Sequence, residues 1–124
     1  MHCDCEILPT YTYYDHERGI SQKLRPFTEP VAFKTSRELF RCEICGTFWR
    51  IDVPDKFQQR YVWKVGEYRD DWASAEFVEE QKQLLLQRRG GIADETCVWA
   101  GCDNKRVKGM AICIDHLYAN GARR

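Results

Sequence analysis

The sequence predicts a small α+β protein: an antiparallel β meander, then one helix, then a compact cysteine-rich module at the C-terminal end. Three observations predict it. Residues 48–53 and 60–65 alternate side-chain character with the period of a strand. Residues 72–89 contain neither glycine nor proline and are rich in strong helix formers. All seven cysteines fall into clusters at the two ends and in the middle of the chain.

Residues 1–30 form a polar, tyrosine-rich lead-in punctuated by Pro9, Pro26 and Pro30, within which Tyr11, Thr12 and Tyr13 alternate like a short strand. Val31 to Arg41 suits a single strand leading into Cys42. Phe48, Arg50 and Asp52 alternate with Trp49, Ile51 and Val53, and Pro54-Asp55 ends that strand. Arg60 to Val65 alternates again, with Tyr61, Trp63 and Val65 on one face and Gly66 closing it. Asp70 or Asp71 is placed to cap a helix running from Trp72 to Arg89, and Gly90-Gly91 suits its C-terminal end and a hinge. Glu79 to Gln83 interrupts its apolar stripe, so burial is expected only at the two ends. The resulting division is a β module at 1–71, a connecting helix at 72–91 and a C-terminal module at 92–124.

Cys97-x4-Cys102-x10-Cys113-x2-His116 supplies four donors within twenty residues, the number that a closed tetrahedral zinc site requires. Gly101 allows a tight turn before Cys102, and Lys108-Gly109 suits a hairpin between Arg106-Val107 and Met110-Ala111-Ile112. Cys113 and His116, three apart, fit one face of a short helix. The second constellation joins Cys3-x-Cys5 to Cys42-x2-Cys45-Gly46. The one-residue spacing of Cys3 and Cys5 demands an unusual backbone bend, and His2 or His16 could replace one of them. Seven cysteines are an odd number, which leaves a disulfide framework one thiol over, whereas two metal sites with His116 use all of them. The expected cofactor is zinc, two ions, both structural.

Composition narrows the class. Hydrophobic residues make up 44% and aromatics 13% of 124 residues, enough for a packed core and against disorder. Trp49, Trp63 and Trp72 are expected in that core. No apolar run approaches the ~18 residues of a membrane span. The start at Met1-His2-Cys3 lacks the basic and apolar stretches of a secretory signal, so a cytoplasmic location is expected. Lys+Arg and Asp+Glu both number 19. A divalent ion on four thiolates carries about −2 and one on three thiolates and an imidazole about −1, so the loaded chain sits near about −3. That is a poor match to a phosphate backbone.

The Cys42 to Cys45 knuckle entering the strand that begins Gly46-Thr47-Phe48-Trp49 resembles a zinc ribbon, with Cys-x-Cys where that family has a second Cys-x2-Cys. The knuckle, hairpin and ligand-bearing helix of the C-terminal module look like a treble clef. Thr96 to Tyr118 resembles the short fingers appended to small bacterial and phage proteins. In size and style the whole layout is similar to small bacterial zinc proteins, some of which act as immunity proteins or antitoxins by occluding a toxin.

No enzyme is expected. Both sites have full ligand sets, His16 between Asp15 and Glu17 reads as a solvated turn, and no catalytic triad, phosphate loop or His-Glu-x-x-His pattern is present. The expected function is therefore protein binding. Asp52, Asp55, Glu67, Asp70 and Asp71 are the candidate contact residues for a basic partner protein, such as a cognate toxin. The alternative is a nucleic-acid-binding finger using Lys105, Arg106, Lys108, Arg123 and Arg124, with Trp99 or Tyr118 stacking on bases.

Overall fold

The structure, a computed structural model, describes residues 2–15, 20–52 and 60–123. The chain forms two compact units, Met1–Glu76 and Phe77–Arg124. Together they make a small α+β protein with a five-stranded antiparallel sheet, three short helices and two cysteine clusters.

The first unit is built on strands β1 (Tyr11–Tyr13), β2 (Thr28–Lys34), β3 (Arg37–Cys42), β4 (Phe48–Asp52) and β5 (Tyr61–Gly66), with a short helix α1 (Ser21–Leu24) running into a 3₁₀ turn (Arg25–Phe27). The spatial order is β1-β5-β4-β3-β2, so β2 to β5 form the expected meander and β1 adds beside β5. The single strand expected over Val31 to Arg41 is instead a hairpin. It turns at Thr35 and Ser36, which take φ of 52° and 61°. Such two-residue turns normally announce themselves with Asn-Gly, and Thr-Ser hides the signal. Val53 and the Pro54-Asp55 stop lie outside the described residues.

Register explains the core. Phe40, Trp49 and Lys64 face one side in a row, beside Glu38, Ile51 and Val62. Trp49, Ile51 and Val62 pack there with Cys5, Leu8, Tyr14, Ile20, Leu24 and Cys42. The opposite side carries Leu39, Arg50, Trp63 and Tyr11 in one row, and Arg37, Asp52, Tyr61 and Tyr13 in the next. This second side is also covered. Arg50 is 1% exposed and donates to the carbonyls of Trp72 (2.9 Å) and Ala75 (2.7 Å), while its guanidinium lies over the Trp63 ring. Arg37 donates to the Ala73 carbonyl at 2.7 Å and to the Glu76 carboxylate. Asp52 lies between the two arginines, 2.9 Å from Arg50 Nε. Burial pushes Arg50 down and Asp52 up, each toward its neutral form, and their mutual attraction opposes it. The two arginines thus clamp residues 72–76 onto the sheet.

That clamp accounts for the shortened helix. The expected start at Trp72 is displaced to Val78, and α2 spans Val78–Arg88. Trp72 is buried, and its carbonyl serves Arg50 rather than a helical turn. Asp71 caps nothing: Arg69 holds its carboxylate, and its carbonyl closes a turn to Ser74 and Ala75. The N-cap is Phe77, without a side-chain hydrogen bond.

In the second unit, α2 is followed by β6 (Ile92–Thr96), β7 (Lys105–Val107) and α3 (Ile114–Ala119). Gly90 and Gly91, with φ of 93° and 97°, close the end of α2 inside this unit, Gly91 donating to Leu86. The core is Leu85, Val107 and Leu117, so only the C-terminal half of α2 is buried. β7 pairs with β6, not with residues 110–112 as the Lys108-Gly109 turn implied; the Val107 N–H instead reaches Ile112 across a tight loop.

Replacing Arg50 by alanine strips Asp52 of its nearest countercharge and frees two carbonyls, so Arg50→Ala is expected to cost about 3 kcal/mol or more. Arg50→Lys should recover only part of it, because an ammonium cannot span the carboxylate and both carbonyls. Chemical denaturation measures both; a wild-type midpoint for Arg50→Ala would remove the clamp.

Candidate metal centres

The first cluster joins two turns. Asp4 accepts hydrogen bonds from the N–H groups of Ile7 (3.0 Å) and Leu8 (3.1 Å), which bends the chain immediately after Cys3. This is the bend that the one-residue spacing demanded, and buried Leu8 anchors it in the core. Cys42 ends β3, and its backbone bonds to Thr47 (2.9 Å) and Gly46 (2.9 Å) close the knuckle, with Gly46 at φ +80°. The sulfurs of Cys3, Cys5, Cys42 and Cys45 lie within 4.8 Å of one another.

The second cluster is assembled in the same way. Gly101, at φ +80°, turns the chain so that Cys102 N–H bonds to Trp99 (3.0 Å), and Cys97 N–H bonds to Asn104 (2.8 Å). Cys113 is the N-cap of α3 and His116 sits in its first turn. Cys97, Cys102, Cys113 and His116 bring their donor atoms within 4.8 Å of one another. Cys102 and Cys113 are 3.8 Å apart, and His116 Nδ1 is 3.2 Å from Cys113 and 3.6 Å from Cys97. A disulfide needs about 2.05 Å. A tetrahedral thiolate site with metal–sulfur bonds of about 2.3 Å has edges of about 3.8 Å. The spacing is that of ligands around one ion, and all seven cysteines are free thiols.

Electrostatics agrees with the geometry. Burial raises Cys5 to about 12, partly opposed by the Trp49 indole N–H. Burial would also raise Cys45, but the Thr47 hydroxyl and backbone bring it down to about 6. Cys113 falls to about 6 against burial through the His116 N–H, the Asn104 amide and the His116 ring. Within each cluster the thiols are split because adjacent sulfurs cannot all be anionic without a countercharge. One cation would satisfy all four donors at once.

The surroundings fit that role. Trp49 Nε1 is buried without a hydrogen-bond partner among the described residues, and its indole opposes the burial that raises the Cys5 thiol. Asn104 reaches Cys113 sulfur at 3.7 Å, and the Trp99 ring stacks on His116 at 4.5 Å and 12°. Sequence reasoning missed all three, although Trp99 and Asn104 lie within the ligand span. Each group could hold one metal ion, and each presents four donors. His2 is not among them, its ring standing 3.8 Å from Asp4. His16 lies outside the described residues.

Two of the expected acidic contact residues, Asp52 and Asp71, are engaged by arginines within the first unit. Asp52 is 14% exposed at its side chain and engaged by Arg50 and Arg37. Arg69 holds Asp71 in a two-point contact of 2.9 and 2.7 Å that lowers its pKa. Glu67 and Asp70 are exposed, and Asp55 lies outside the described residues.

Freshly purified protein is expected to hold two ions per chain by elemental analysis. Cys3→Ser and Cys42→Ser should each lose one ion and share a phenotype; a silent Cys3→Ser would exclude it as a ligand. Cys113→Ser should lose the other ion and unfold the second unit, read by its backbone NMR spectrum. Cys45 and Cys113 lie below the thiol reference of 9.0. Their contribution to stability is therefore complete above that value and lost as the pH falls through about 6. The thermal midpoint of the metal-free chain should drop across that interval.

Comparison of the chain with protein families, with characterised proteins and with solved structures finds no match.

Proposed function

We propose that this protein is a non-enzymatic binding module for another protein, held in shape by two structural zinc ions. Zinc suits the donors: thiolates with one imidazole, at tetrahedral spacing, are its usual structural set. A catalytic ion would keep a position open for water, and both sets here are full. The β-rich first unit would be a variant zinc ribbon and the second unit a small treble clef. Free thiols at both sites suit a reducing, cytoplasmic setting.

The observation that carries protein over nucleic acid is the engagement of the cations around the second site. Arg106 donates to the Thr96 carbonyl at 2.8 Å and pairs with Glu95 at 3.0 Å. Arg123 lies over the Tyr118 ring at 3.7 Å and donates to its carbonyl. Lys82 is 3.0 Å from Asp115. Of the five cations singled out in the finger, that leaves Lys105 and Lys108 exposed, with Arg124 outside the described residues. Two lysines beside a net-negative metal centre give little hold on a phosphate chain. The nucleic-acid reading keeps one feature in its favour, the half-exposed Trp99 ring, which could stack on a base. Toxin neutralisation is one form of the protein-binding reading and rests on resemblance in size and style alone.

Binding to mixed DNA and RNA should be weak at low salt and vanish near about 150 mM, because backbone contacts are lost steeply with salt. Sub-micromolar, salt-resistant binding to a defined nucleic acid, weakened by Trp99→Ala, would overturn the proposal.

A further inference from the structure

The two ligand turns of the first centre share a sequence: Cys5-Glu6-Ile7 and Cys42-Glu43-Ile44. In each, the cysteine belongs to the metal-binding group and is buried, while the isoleucine stands in solvent. Ile7 is 77% exposed and Ile44 41%. Scattered surface isoleucines are ordinary. These two differ in being carried on turns that a shared ligand set draws together and that backbone bonds fix. Ile7 N–H bonds to Asp4 at 3.0 Å, and Glu43 N–H bonds to Phe27 at 2.7 Å. Pre-set apolar side chains lose little freedom on binding, so they suit a docking point.

The charge on these turns is mostly negative, with one cation, Lys64, donating to the Leu8 carbonyl. Asp4, Glu6 and Glu43 lie on the same two turns, and a loaded four-thiolate centre adds two further negative charges. Among the described residues, the ion pair present for these three carboxylates is His2 with Asp4 at 3.8 Å, with no lysine or arginine. We infer that the turns bearing Ile7 and Ile44 dock a cationic amphipathic segment of a partner protein, its apolar side chains on the isoleucines and its lysines or arginines on Asp4, Glu6 and Glu43. The inference rests on the protein-binding reading and gives it a surface and a partner chemistry, in place of the acids around Asp52.

The test uses the full chain loaded with zinc and two synthetic amphipathic peptides, one of leucine and lysine and one of leucine and glutamate. The lysine peptide should shift the amide signals of residues 4–8 and 42–46, and the glutamate peptide should leave them in place. Ile7→Ser combined with Ile44→Ser should weaken the lysine peptide by about tenfold or more, with zinc content unchanged. Glu6→Lys with Glu43→Lys should do the same, so the effect does not hang on one pair of substitutions. Equal binding of both peptides, shifts elsewhere, or wild-type affinity in both double variants would overturn the inference. A natural partner that is retained by those variants and lost with Val31→Ser and Phe33→Ser would overturn this surface while leaving the protein-binding reading standing.

Discussion

Convergence of four soft donors on one point is the constraint around which each unit is arranged. In the second unit the buried apolar core consists of Leu85, Val107 and Leu117 with partly buried neighbours, too little to hold a chain of that length by burial alone. Closure of Cys97, Cys102, Cys113 and His116 ties the end of β6, the loop before β7 and the start of α3 to one place. The cost of leaving that closure empty is visible in the thiols, whose pKa values are driven apart because neighbouring sulfurs cannot all be charged together. A cation converts that conflict into four bonds.

The first unit uses the same device differently. Its sheet supplies a larger core, and Cys5 and Cys42 are members of it beside Trp49 and Val62. The candidate ligands and the hydrophobic core are therefore one structure there, with the Trp49 ring filling the core beside the Cys5 and Cys42 thiols. The opposite face of the same sheet is sealed by charge. Arg50 and Arg37 reach across to Trp72, Ala73, Ala75 and Glu76, with Asp52 compensating both. A buried arginine is tolerable because its donors meet carbonyls as well as a carboxylate, so little of its hydrogen-bonding capacity is stranded.

The arginines also bear on function. Lys82, Arg106 and Arg123 of the second unit lie over an aromatic ring or pair with nearby acids, which stiffens the unit and engages these three side chains internally. Four of the nine exposed large apolar side chains among the described residues stand on the ligand turns: Ile7 and Ile44 at the first centre, Val98 and Trp99 at the second. Turns pinned by ligation can present apolar side chains without folding inward to bury them, because their backbone is already fixed.

The sequence alone marked out the two groups of four donors that could hold metal ions, since soft donors at short spacing have few other uses in an unpaired set, and it determined the strands that alternate, since period two leaves one face to bury. It also marked Trp49, Trp63 and Trp72 as core, and their exposures of 0%, 6% and 6% agree. The tertiary structure decided whatever depended on distant partners. The Thr35-Ser36 turn carries no local turn signal and is set by pairing of β2 on β3. The helix beginning at Val78 rather than Trp72 follows from arginines more than twenty residues earlier claiming the intervening carbonyls. Asp52 reads as an exposed contact acid of an alternating strand, and only the register that sets it between Arg37 and Arg50 makes it an interior one. Local patterns report what a residue is able to do; which of its options is taken depends on contacts made across the fold.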